Sequence, residues 1–154
     1  MAHRIKAALL AASAGLLAVS GVVASLPAAA QNAPRIERPM ADAPYWNASL
    51  STEQRVADLL ARMTLEEKIA QIVSIWDSKT AIQNEDHTFS PAKASQVFPD
   101  GIGQIARPSD TKGPISPRVE RRRDIDASVD YVIAAQKWAM EETRLGIPIL
   151  FHEE

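Results

Sequence analysis

The chain has 154 residues, no cysteine and a formal net charge of −2. Without cysteine there is no disulfide scaffold, no Cys-ligated zinc site and no thiol nucleophile. With residues 1–30 set aside, whose only charges are Arg4 and Lys6, 15 basic residues face 19 acidic ones. That balance excludes a basic nucleic-acid-binding domain as the default reading.

Residues 1–6 form a positive n-region, Ala7 to Val23 is an apolar run, and Ala28 and Ala30 satisfy the small-x-small rule before Gln31. This is the pattern of a signal peptide over residues 1–30. Gly15, Gly21 and Pro27 in so short a segment argue against a transmembrane anchor. The expected product is exported, periplasmic or secreted, with no membrane anchor after cleavage. Residues 31–47 hold Pro34, Pro39 and Pro44 and read as an extended lead-in.

Ser51-x-x-Gln54 is a capping box, and Val56, Leu59, Leu60 and Met63 recur at helical spacing behind it. Thr64-x-x-Glu67 is a second box, opening a helix with the stripe Ile69, Ile72, Val73 and Trp76. Both stripes are expected in the core. Residues 77–100 read as irregular. His87 lies there directly after Glu85 and Asp86, and reads as a solvated loop histidine because no second His or Cys stands at ligand spacing. No metal site is expected.

The segment Gly101 to Arg107, stopped by Pro108, is a strand signal; it lacks the third glycine of a dinucleotide fingerprint. A proline- and glycine-containing loop follows over 108–120, and Arg121-Arg122-Arg123 reads as a solvated basic face. Asp124 caps a long helix with Ile125, Val129, Val132, Ile133, Gln136, Ala139, Met140 and Thr143 on one side. Gly146 stops it and Pro148 prevents restart. Ile147 to Phe151 is an apolar run expected to form a strand buried on both faces. Strand, helix and strand in this order form a parallel α/β crossover. Two parallel strands cannot make a stable sheet alone, so neighbours are expected beyond them.

In parallel α/β proteins function collects at the carboxyl ends of strands. The last strand delivers His152, Glu153 and Glu154 there. A zinc-protease His-Glu-x-x-His would need a helix and a second histidine, and this segment reads as strand. Clustered carboxylates suit carbohydrate chemistry, as acids, nucleophiles or acceptors of sugar hydroxyls.

The stretch Arg55–Gln71 resembles the opening of glycoside hydrolase family 3, as do Gly101–Ile105 and Ala135–Ala139. The most specific piece is Thr143–Glu154, and the resemblance spans roughly residues 45–154 in family order. It implies the beginning of a (β/α)8 barrel, about two of eight strands, over residues 48–154. It also implies exo-acting, retaining hydrolysis of β-glucosides or β-xylosides at non-reducing ends, without metal or organic cofactor. The expected partner is a β-linked oligosaccharide or an aryl or alkyl glycoside.

In the family the acidic residue before a Leu-His-Gly segment binds hydroxyls of the −1 sugar; by position this is Glu154. Glucosidases of the family commonly carry Asp there, and xylosidase-like members often Glu, which leans toward pentosides. Arg107, at the end of the earlier strand, is a second candidate for lining the pocket, with a surface ion pair as its alternative role. The family's nucleophilic Asp, its acid/base Glu and a sugar-gripping Lys-His pair have no counterpart within the 154 residues. Glu153 and Glu154, being adjacent, cannot supply two carboxyls about 5–5.5 Å apart across one bond. No catalytic residue is therefore assigned, and the chain is expected to be an inactive N-terminal piece of an enzyme. A reading from a different class is a non-enzymatic exported module that binds sugars or docks on a partner.

Overall fold

A computed structural model describes residues 37–112 and 122–153. The expected signal peptide, most of the 108–120 loop and Glu154 lie outside these residues. Among the described residues no helix is long and apolar enough to cross a membrane.

The lead-in is not extended throughout. A turn at 39–42 precedes a 3-10 helix, Pro44–Trp46, whose Tyr45 is buried and donates to the Leu145 carbonyl at 2.8 Å. Pro44 fits there because a first-turn residue needs no N–H partner.

Helix α1 spans Thr52–Arg62 and helix α2 spans Leu65–Ile72, each opened by the expected reciprocal capping box. The Ser51 hydroxyl accepts from the Gln54 N–H at 3.3 Å, and the Gln54 side chain accepts from the Ser51 N–H at 3.0 Å. Thr64 and Glu67 repeat the exchange at 3.2 and 2.9 Å. The stripes behind the caps are a correction: only Met63 is buried, while Val56, Leu60, Ile69 and Ile72 are exposed. Helical spacing shows that the apolar residues share a side, but not what covers it.

Glu67 does more than cap. Its buried carboxylate also receives the Arg144 guanidinium, at 2.7 Å from Nε and 2.5 Å from Nη2, tying α2 to the chain before the last strand. Arg144 foremost holds the Glu67 carboxyl below its ordinary value. The stabilisation is therefore complete above the unfolded carboxylate value and is lost as pH falls through the lowered folded one. Because Arg144 is half exposed, the pair is worth about 1 kcal/mol after screening. Glu67→Gln is expected to lower the urea midpoint at pH 7. Its difference from wild type should shrink below pH of about 4; a gap that stays constant down to pH 2 would contradict this.

Among the described residues the sheet has three strands, not two. β1 is Ser74–Ile75, β2 is Gln104–Ala106 and β3 is Leu150–His152, all parallel and in the order β1-β2-β3. The registers pair Ile75 with Ile105 and Ile105 with Phe151. β1 occupies residues expected to prolong the second helix, which ends at Ile72. β3 begins later than expected and is not buried on both faces, since Leu150 is 61% exposed.

The stretch read as irregular carries a 3-10 helix, Asp77–Ile82, and a short helix α3, Pro91–Val97. Ser90 caps α3, accepting from the Lys93 N–H. Helix α4, Ile125–Glu141, is capped by Asp124 as expected, its side chain accepting from the Ala127 N–H at 2.8 Å. Its buried side, however, is Tyr131, Ala135, Trp138 and Ala139, whereas Ile125, Val129 and Ile133 are exposed.

The core lies between the sheet and helices α3 and α4. Ile75, Ile105 and Ile149 meet Ala94, Tyr131, Ala135 and Trp138, with Ile82, Phe89 and Ile102 closing the cluster. Phe89 meets the Tyr131 ring edge-on at 5.7 Å, a favoured aromatic geometry. Buried Trp138 finds a partner for its indole N–H in the Ser95 hydroxyl at 2.8 Å.

Candidate functional site

Three parallel strands present their carboxyl ends on one rim. Trp76 follows β1, Arg107 follows β2 and Glu153 follows β3. Beside the rim lies an open groove of about 580 Å³, lined by Arg107, Ser109, Asp110, Arg122, Arg123, Asp124, Ile125, Ser128, Val129 and Glu153.

Arg107 is set by its backbone. Its φ of 51° is left-handed, and its N–H donates to the His152 carbonyl at 2.6 Å, continuing the β2–β3 ladder past the strand end. Its Nε stands 3.2 Å from Asp110 Oδ2 as an ion pair, out of line for a hydrogen bond. The guanidinium lies 5.3 Å from the centroid of the Trp76 ring, and Trp76 Nε1 also reaches Asp110 Oδ2 at 3.4 Å. Asp110 is buried and gathers both neighbours. Arg107 thus both makes an ion pair and lines the groove.

Glu153 is fixed by a backbone donor, the Ser109 N–H at 2.9 Å from Oε1. That bond links the loop after β2 to the loop after β3. Glu154 falls outside the described residues, so the structure does not place it.

Arg123 was expected on a solvated face and is instead buried. Its Nη1 donates to the carbonyls of Pro108 at 2.7 Å and Asp110 at 2.5 Å. Its Nη2 donates to Gln83 Oε1 at 2.7 Å and the His87 carbonyl at 2.9 Å. The guanidinium also lies 3.9 Å over the Tyr131 ring. Five directed donors on one planar cation are what this many converging acceptors require. His87 contributes its main-chain carbonyl to this arrangement and has a left-handed φ of 66°.

Lys79 is buried beneath the rim. Burial pushes its ammonium down to about 8, with Asp110 and Glu153 pulling it up and Arg123 and Arg107 pushing it down. Residue spacing gave no signal for Lys79 or Arg123, because their hydrogen-bond partners lie 13 or more residues away along the chain, whereas Arg107 and Asp110 stand only three residues apart. Trp76 had one: Val73-Ser74-Ile75-Trp76 suits a strand as well as a helix end.

Chemically the rim offers a fixed cation, a fixed carboxylate and an aromatic edge. Such groups can orient a hydroxylated ligand in a groove. Both rim carboxylates with described geometry, Asp110 and Glu153, already accept hydrogen bonds from the protein.

No family model matches the chain. A protein of Formosa agariphila named "Putative beta-xylosidase" is 32% identical over 112 residues, covering 71% of this chain. The chain spans 13% of that relative's length. The match supports a glycosidase-like relationship.

Proposed function

We propose that this chain is the exported N-terminal part of a family 3 β-glycosidase, an exo-acting retaining hydrolase of β-xylosides or β-glucosides. The similarity to the xylosidase-named protein carries the reading. The parallel sheet, with its polar rim at the carboxyl ends, is consistent with the first strands of a (β/α)8 barrel. The exposed apolar side of α4, with Ile125, Val129 and Ile133, and the exposed Leu150 of β3 suit coverage by further α/β units.

In this reading residues 1–30 are a cleaved leader. Glu154 and Arg107 bind the sugar at the non-reducing end, and the longer reach of glutamate favours a pentose. The two catalytic carboxyls, about 5–5.5 Å apart, come from outside the 154 residues.

The test compares the complete reading frame with residues 31–154 expressed alone, on p-nitrophenyl β-xyloside and β-glucoside. The complete product should turn over and the short one should not. In the active product Glu154→Gln should lower kcat/KM about 10- to 100-fold, the loss of one or two charge-assisted hydrogen bonds. Turnover by residues 31–154 alone, or none by the complete product on either substrate, would overturn the proposal.

A further inference from the structure

We propose that Lys79 is a positioning residue for Arg107, and through it for the groove at the strand ends. Lys79 sits in the 3-10 segment after β1 and is wholly buried. Its Nζ donates to two successive carbonyls, Ala106 at 3.1 Å and Arg107 at 2.6 Å. Ala106 is the last residue of β2, and Arg107 is the left-handed residue that follows. A non-glycine residue in that conformation is disfavoured and persists only when its surroundings hold it. Here three bonds do so: the Arg107 N–H reaches the His152 carbonyl, and its own carbonyl accepts from the Asp110 N–H at 2.9 Å and from Lys79, the one side chain among these donors.

Stability alone does not account for an ammonium here. A buried cation carries a desolvation penalty that a methionine of similar volume would avoid. What methionine cannot do is fix the direction of two carbonyls, and with them the path of Arg107. The charges around Lys79 are Asp110 and Glu153, which attract it, and Arg107 and Arg123, which repel it. The first three of these belong to the rim itself. Lys79 therefore ties the segment after β1 to the end of β2 and sets the Arg107 guanidinium against Asp110 and Trp76. What Arg107 then grips rests on the glycoside reading; that Lys79 sets it does not.

The experiment labels arginines with phenylglyoxal in the protein expressed from its complete reading frame, read by mass spectrometry of chymotryptic peptides. In wild type, Arg107 should react at least about fivefold more slowly than half-exposed Arg144. In Lys79→Met and Lys79→Gln, Arg107 should gain about fivefold in rate while buried Arg123 stays protected. A merely structural role would expose both arginines together. Unchanged Arg107 reactivity with Arg123 still protected overturns the proposal.

If both variants unfold, competitive acetylation of the wild-type lysines decides. Lys79 should acetylate at least about tenfold more slowly than exposed Lys137, and equal rates overturn the clamp. Methyl β-xyloside added to the wild-type labelling bears on the glycoside reading separately. If it does not protect Arg107 while the dependence on Lys79 holds, the glycoside reading falls and the positioning role stands.

Discussion

Gly103→Ala is expected to lower the melting temperature steeply in the protein expressed from its complete reading frame. Gly103 immediately precedes β2, where a Cβ would overlap the Gln71 carbonyl group and lie 2.7 Å from the Gln71 Cα. The obstacle is backbone, and it cannot move aside. The Gly103 N–H donates to the Ala70 carbonyl at 2.8 Å, and its own carbonyl accepts from the Leu150 N–H at 2.9 Å. One methyl group therefore pushes the end of α2 away from β2 and strains the start of β3. Overpacking of this kind costs about 3 kcal/mol or more. Gly101→Ala is the control: its φ of 92° disfavours alanine, but the nearest obstacle is a side-chain atom 3.9 Å away. It should cost about 1–2 kcal/mol. Thermal melts by circular dichroism distinguish the two, and a Gly103→Ala protein melting like wild type would show that the close approach is absent.

Arg123→Leu is expected to be nearly as damaging. The change removes the donors to Pro108, Asp110, Gln83 and His87 together and leaves those oxygens buried. Breaking a buried, fully bonded cation costs about 3–5 kcal/mol. Arg123→Lys should recover little, because three protons on one nitrogen cannot reach acceptors spread around a planar fork. Urea unfolding measures both. A leucine variant within about 1 kcal/mol of wild type would mean that the loops do not depend on this residue.

These residues also show what was readable in the sequence. The capping residues Ser51, Thr64 and Asp124 were, since each cap is decided within four residues. The parallel strand-helix-strand order around α4 was also readable, but Gly146 is not the helix stop: α4 ends at Glu141 with Glu142 as its cap, and Gly146, with a φ of 62°, turns the chain four residues later. β1 was not, because two residues give no period, and Val73 and Trp76 continue a helical spacing across the break. Coverage of the apolar stripes was not readable either, since Ile69 and Val129 look the same whether covered or exposed. In the candidate site, Arg107 was legible as a strand-end residue. Arg123 looked solvated among its charged neighbours, because its burial depends on acceptors up to 40 residues away. Lys79 is legible only once β1 and β2 are known to be adjacent.

The three described glycines, Gly101, Gly103 and Gly146, all precede strands, at the amino ends of the sheet. The charged and aromatic groups of the rim all follow strands, at the opposite ends. The tight tolerances and the chemistry are thus kept apart within the same chain. The exposed residues 84–86 lead into His87, whose carbonyl accepts from Arg123 in the groove lining. At the foot Gly103 admits no extra atom, whereas the rim is joined through the side chains of Arg107, Trp76 and Asp110.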